Sequence, residues 1–277
     1  MLKKSEIMDY QLFAERTVKR AGEIVKSFKE TCHIKKTKDS LSLDIATDAD
    51  FASETYIVNQ IRRRYHTHSI MTEETQEYHK TSDFEWIIDP LDGTKEFIRH
   101  IPYYFVLLAL EYKGSLVCGV GYQPELHRLF SCSIGNTPLV NGRMVTVSHE
   151  GSLTKSFIYV SLPKKQTQKE ELERYIEVIK KLTGQTYRVR NTAWDVEAFF
   201  NVASGAAEGF ITPTSSSSPC PKWWDIAPGI LMVESAGGKV SDFQGKSIQN
   251  RDISHGLTAS NGKVHEDLLK LCHYLII

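Results

Sequence analysis

The sequence predicts a mixed α/β fold, and three patterns along its 277 residues point to it. Apolar residues near the N-terminus recur at helical spacing, the middle is a succession of short β-branched apolar runs, and beyond about residue 150 strands and helices alternate. A chain of this length buries a substantial core, as one large domain or as two intimately packed halves. The change of pattern divides it into 1–150 and 151–277.

Each element has a local reason. From Ser5 to about Phe28, the residues Leu12, Val18, Ala21, Val25 and Phe28 form an apolar stripe among charges, the mark of an amphipathic helix. A second helix follows "IATDAD", with Thr47 or Asp48 as its cap and Phe51, Val58, Ile61 and Tyr65 as its buried stripe. The runs "EWIID", "YYFVLLALEY", "SLVCGVGY", "RLFSC" and "LVNGRMVTVS" read as strands. Lys113-Gly114, Ile134-Gly135-Asn136 and Asn141-Gly142 between them are hairpin signals, so much of this sheet is expected to be antiparallel. Further on, Val196, Phe199, Phe200 and Ala203 give one apolar helical face, and Ile226 to Ala236 give another helix, closed by Gly237-Gly238. The single low-complexity patch, "TPTSSSSPCP" at 212–221, reads as a surface loop, either passive or forming a rim for the "KWWDIAPG" that follows.

Composition narrows the function. Lysine plus arginine equal aspartate plus glutamate at 34 each, so no global field favours a nucleic acid polymer or an anionic membrane as partner. No apolar run is long enough to span a bilayer, and the N-terminus has no continuous apolar segment of a leader. The five cysteines are scattered and form no Cys-x-x-Cys pair, which argues against a disulfide framework or zinc knuckle and fits a reducing cytoplasm.

The chemistry concentrates in "IIDPLDGTKEF", residues 87 to 97. Trp86-Ile87-Ile88 reads as a buried strand, Pro90 as the end of its ladder, and Gly93-Thr94 as the start of a short helix. Asp89 and Asp92 at the strand exit, with the Leu91 carbonyl between them, are hard oxygen donors suited to magnesium, and free amides at a helix start receive phosphate. Read alone, Asp89 is equally a strand-end cap and Asp92-Gly93 a plain turn. Glu73 and Glu74 in "MTEET" are carboxylates upstream, and Asp225 in "KWWDIAPG" is one downstream, where it also suits a helix N-cap.

Together, "SLDIATDAD", "TEE", "WIIDPLDGTKEF", "VNGRMVTVS" and "WWDIAPGILMVESAGGKVSDFQG" resemble, in this order and over nearly the whole chain, the inositol monophosphatase superfamily of magnesium-dependent, lithium-sensitive phosphatases. The resemblance implies a layered α-β-α-β-α sandwich, a homodimer, and two or three magnesium ions. It implies that Glu73, Asp89 and the Leu91 carbonyl bind one ion, and that Asp89, Asp92 and Asp225 bind a second. Thr94 would orient the attacking water with Glu73, the Gly93 and Thr94 amides would hold the phosphate beside Asp92, and Asp48 would support Thr94 or the metal shell. Which of Glu73 and Glu74 is the ligand stays open.

The ester is less defined. "DPLDGTKEFI" is similar to the bisphosphate nucleotidase branch, "HIPYYFVLLAL" and "VNGRMVTVS" to inositol monophosphatases, and "GVGYQPELHRLF" to the histidinol-phosphate phosphatases. In "RNTAWDVEA", Arg190 keeps the family pattern while Ala193, Trp194 and Asp195 replace small residues, which alters the substrate wall; Asp195 suits an amine or hydroxyl. Trp194 is equally a core residue. The stretch before "WWD" lacks the carboxylate that contacts inositol hydroxyls in the family. Lys36, Lys38 and Lys95 either steer a second phosphate or are solvated.

Overall fold

A computed structural model describes residues 2–38, 45–75, 82–163, 167–191, 195–213, 221–248 and 251–275. It opens with α1 (Lys4–Ser27), whose first turn is fixed by the Glu6 carboxylate accepting the Lys3 N–H at 2.8 Å. The buried stripe is Phe13, Ala14, Val18, Ala21 and Val25, with Phe28 packed against the same core, so the expected stripe holds except that Leu12 faces outward and Phe13 is buried beside it. A separate antiparallel pair, β1 (Ile34–Thr37) and β2 (Ile45–Thr47), leads into α2 (Asp48–Arg64). Thr47 is the cap, and Asp50 at the third helical position accepts its N–H at 2.8 Å.

A seven-stranded sheet follows, in the order β3 (Ser69–Thr72), β4 (Phe84–Asp92), β5 (Phe105–Tyr112), β6 (Ser115–Gln123), β7 (Arg128–Ser133), β8 (Leu139–Val140) and β9 (Arg143–Met144), with the short α3 (Thr94–Phe97) after β4. β3 and β4 are parallel, and the pairs from β4 to β8 are antiparallel. The hairpins sit where expected: Lys113 and Gly114 have φ of 52° and 75°, Asn141 and Gly142 of 50° and 77°, the left-handed geometry of tight hairpin turns. Trp86, Ile88, Val106, Leu108, Leu110, Val120 and Tyr122 project from one face of the sheet into a core shared with α1 and α2. α1 comes close to the sheet at Gly22, where an added Cβ would lie 2.7 Å from the Tyr122 ring and 2.9 Å from Pro124.

The chain divides into two compact units, Met1–Arg143 and Met144–Ile277, where the sequence pattern placed the divide at 150/151. The second unit contains β10 (Phe157–Val160), α4 (Lys169–Gln185), β11 (Arg188–Asn191), α5 (Asp195–Ala203), β12 (Gly209–Thr212), α6 (Trp223–Ser235), β13 (Lys239–Ser241), β14 (Leu257–Ser260) and α7 (His265–Cys272). Its sheet runs β11-β10-β12-β14-β13, with β10 parallel to both neighbours and β14 antiparallel to both of its own. Ile158, Val160 and Ile211 pack with Val178 and Leu182 of α4 and Leu268 of α7. Phe210 meets Phe199 of α5 edge to face at 5.3 Å. α5 in turn lies so close to α6 that a Cβ at Gly229 would fall 2.6 Å from Phe199.

Mixed sheets with helices packed on them make the fold α/β, as expected. Among the described residues no helix is long and apolar enough to cross a membrane. Cys32, Cys118, Cys132 and Cys272 are free thiols. Cys220, most of the 212–221 patch, Ala193 and Trp194 lie outside the described residues.

Candidate active site

The parallel pairing of β3 and β4 sets Thr72 opposite Ile88, so Glu73 and Asp89 follow at the same end of adjacent strands. β4 does not stop at Pro90, as the sequence pattern suggested. Asp89 pairs with Leu107, the register slips by one residue, and pairing resumes with Asp92 opposite Phe105. This is a bulge, and the proline, having no N–H to give the ladder, sits within it. Its consequence is geometric. Residues three apart on a regular strand face opposite sides, but Asp89 and Asp92 stand opposite residues two apart on β5, so both project from one face. The Leu91 N–H closes the bulge on Asp89 Oδ1 at 3.0 Å, and Ser53 Oγ of α2 donates to the Pro90 carbonyl at 2.8 Å.

Gly93 turns the chain from β4 into α3 with φ of 103°, a conformation that any Cβ would strain. Thr94 then stands at the start of α3 with two acceptors in reach of its hydroxyl: Asp50 Oδ1 at 2.9 Å and the Leu91 carbonyl at 3.1 Å. Support for Thr94, expected of Asp48, therefore comes from Asp50. Asp48 points elsewhere, accepting the His33 N–H at 3.0 Å. Asp50 is fully buried; burial pushes its carboxyl up to about 6, against hydrogen bonds from the Thr47 hydroxyl and amide and the Thr94 hydroxyl that hold it down.

The Glu73-Glu74 pair is clamped by a cation. Lys38 Nζ lies 2.7 Å from Glu73 Oε1 and 2.5 Å from Glu74 Oε1. Burial of the ammonium works to lower its pKa, yet the two carboxylates outweigh that and hold it raised. Lys38 is thus taken up by the two carboxylates, and Lys36 Nζ lies 3.5 Å from the Glu74 carbonyl. Glu74 is buried, with Oε2 lacking a hydrogen-bond partner among the described residues, and burial raises its pKa to about 7. The buried Glu54 carboxylate accepts the Glu74 N–H at 3.0 Å and the Thr72 hydroxyl, fixing the exit of β3.

Among the described residues no three or more His, Cys, Asp or Glu side chains come together in a group that could hold a metal ion. Like charges repel unless a cation lies between them, and at Glu73 and Glu74 that cation is the Lys38 ammonium. Carboxylate and carbonyl oxygens are the donors that magnesium takes, and Glu74 Oε2, buried with no partner among the described residues in a carboxylate pair that already holds a cation, fits such an ion in its chemistry.

The remaining predicted residues belong to the second unit. Asp225 is the third residue of α6, rather than its cap, and accepts the Lys222 N–H at 2.7 Å. Asp195 opens α5; Ser161 Oγ donates to its Oδ1, and Thr212 Oγ1 lies 3.5 Å from its Oδ2. Arg190 is exposed on β11, with Nη1 on the Val189 carbonyl at 3.1 Å. Two buried carboxylates, Asp50 and Glu54, were missed by sequence reading. The Thr47-x-x-Asp50 spacing of a capping box was the available signal for the first.

Residues 8–275 match the inositol monophosphatase family. The chain belongs to that family. Nus factor SuhB of Pseudomonas aeruginosa is 33% identical over 259 residues, covering 92% of this chain and 93% of its own. The solved Thermotoga maritima IMPase superposes with a TM-score of 0.82 at 26% identity, covering 96% of this chain and 98% of its own. An IMPase/NADP phosphatase solved in complex with Mg2+ and phosphate has a TM-score of 0.77 at 20% identity, over 91% of this chain and 90% of its own, a likeness of fold.

Proposed function

We propose that this family member is an enzyme, a phosphoric monoester hydrolase that uses magnesium and an activated water on a small phosphorylated metabolite. The observation that carries this reading is the bulge that turns Asp89 and Asp92 to one face beside Thr94, whose hydroxyl Asp50 holds. Glu73, Asp89, the Leu91 carbonyl, Asp92 and Asp225 are the proposed ligands of two or three ions. Bound magnesium supplies Lewis acidity at phosphoryl oxygens and lowers the pKa of water. Thr94, set by Asp50, accepts and orients the attacking water together with Glu73, while the Gly93 and Thr94 amides and Asp92 seat the phosphate. Arg190 and Asp195 belong to the proposed substrate wall. The complex of a relative of the same fold with Mg2+ and phosphate supports this assignment. A cytoplasmic homodimer completes the proposal, and light scattering of the purified chain tests the dimer.

For the substrate, an inositol monophosphate is favoured by the relatives named IMPase. A 3'(2'),5'-bisphosphate nucleotide such as 3'-phosphoadenosine 5'-phosphate and histidinol phosphate are the alternatives. Phosphate release from these three and from fructose 1,6-bisphosphate, with and without magnesium, tests the assignment. Asp89→Asn and Asp92→Asn are each expected to nearly abolish turnover with the fold retained by circular dichroism, and wild-type-like rates in either would count against it.

A second reading is favoured by the name Nus factor carried by the Pseudomonas aeruginosa relative: a binding role without turnover. Phosphate release from no ester of the panel, with an ester still bound by calorimetry, would support that reading over the first.

A further inference from the structure

The first unit carries a further polar cleft, outside the candidate active site. It lies between α1 and α2, has a volume of about 430 Å³, and is lined by Arg16, Arg63, Arg64, Tyr56, Gln60 and Phe13, among others. That volume is within the usual range for small-molecule sites. Its charge is one-sided. Arg64 is held in place, with Nη2 at 2.6 and 2.7 Å from the two Asp9 oxygens and its guanidinium over the rings of Phe13 and Tyr65 at 5.7 and 5.6 Å. Arg16 and Arg63 are exposed and have no hydrogen-bond or ion-pair partner among the described residues. Three guanidinium groups against the one carboxylate that pairs with them leave a local excess of about two positive charges on a chain whose net charge is zero.

Compensation of the α2 macrodipole explains basic residues in its last turn, and Arg62, Arg63 and Arg64 all stand there. It does not explain Arg16, which comes from the middle of α1 and faces the same cleft. The guanidinium fork is the side-chain group best suited to phosphate oxygens, the cleft has three of them from two helices with Arg64 pre-set by its ion pair, and Tyr56 and Gln60 also line it.

We infer that the cleft between α1 and α2 is an accessory anion site, which takes a compact phosphate-bearing small molecule of about two negative charges between Arg16 and Arg63. The inference is independent of the phosphatase reading. None of its lining residues is among the proposed ligands of metal, water or phosphate, and the cleft needs no metal.

Calorimetry with inorganic pyrophosphate in EDTA-containing buffer tests it, since chelation keeps divalent metal out of the measurement. The wild type and an Asp89→Asn variant are expected to bind alike. The Arg16→Ala/Arg63→Ala double variant should bind about tenfold or more weakly, the loss of charge-assisted hydrogen bonds, and retain its magnesium-dependent phosphate release. Arg16→Lys/Arg63→Lys, which keeps charge and loses the fork, should fall between the two and serves if the alanine variant does not fold. Absence of binding, equal binding by the double variants, or loss of binding in Asp89→Asn would overturn the inference. So would citrate binding as tightly as pyrophosphate, because a site for carboxylates is a different site.

Discussion

Asp48 and Asp50 stand two positions apart at the start of α2 and do different work. Asp48 ties to His33 on the surface side, while Asp50 is buried and holds the Thr94 hydroxyl. Thr94 has one hydroxyl hydrogen and two acceptors, so giving it to Asp50 leaves its lone pairs to accept from water. Replacing Asp50 by Asn is expected to lower kcat by about ten- to a hundredfold with little change in KM, because it misorients the hydroxyl rather than removing a ligand. Asp48→Asn should leave kcat within about twofold, the usual result for a surface pair. Steady-state kinetics on the preferred ester of the panel separates them, and equal losses would show that Asp50 has no special hold on Thr94.

At the level of elements, helices and hairpins were legible because their signals are local. Apolar spacing gave α1, α2, α5 and α6 within a few residues, and Lys113-Gly114 gave the β5–β6 turn because few other sequences tolerate its φ values. What escaped were features set by tertiary partners. Proline read as the end of β4, since a bulge is visible only when β5 supplies the register. Asp50 looked like a first-turn charge because the partner that gives it meaning is 44 positions away. α1 meets β6 on the stripe that the spacing showed, apart from Leu12, but the fit of that contact is set by the partner strand. There Gly22→Ala should gain helix propensity of about 1 kcal/mol and lose more to collision with Tyr122 and Pro124, for a net destabilisation of about 1–2 kcal/mol in urea unfolding. A stabilised Gly22→Ala would mean that α1 can shift away from β6 at no cost.

For the whole molecule, acid stability has a cause in each unit. His68 accepts the Trp86 indole N–H at 3.1 Å and stacks between Tyr65 and Phe84; His265 sits between the Ser241 and Ser260 hydroxyls at 2.9 and 2.8 Å. Burial, aided by the charge of His66 for the first and Lys239 for the second, depresses both from the ordinary 6.5 to about 4. The unfolded chain therefore takes up protons first as pH falls from 6.5 towards 4. The stability these groups contribute is complete above that window and lost within it, by at most about 3 kcal/mol each. Asp50 and Glu74, raised by burial, have the opposite sign in overlapping windows. Differences between wild type and single variants isolate the histidines. His68→Asn and His265→Gln should each flatten the fall in Tm between pH 6.5 and 4.5, and an unchanged slope would count against neutral buried imidazoles.

The bulge at Pro90 also restricts how this chain can change length. Deleting either residue between Asp89 and Asp92 would leave the two carboxylates two apart on a regular ladder, still on one face, but would abolish the bulge and with it the seat of the Leu91 N–H on Asp89 and of the Pro90 carbonyl on Ser53. An added residue would displace Thr94 from Asp50. Loops elsewhere can lengthen or shorten at modest entropic cost, whereas the segment from Asp89 to Thr94 has its length set by the bulge at one end and the Thr94–Asp50 hydrogen bond at the other.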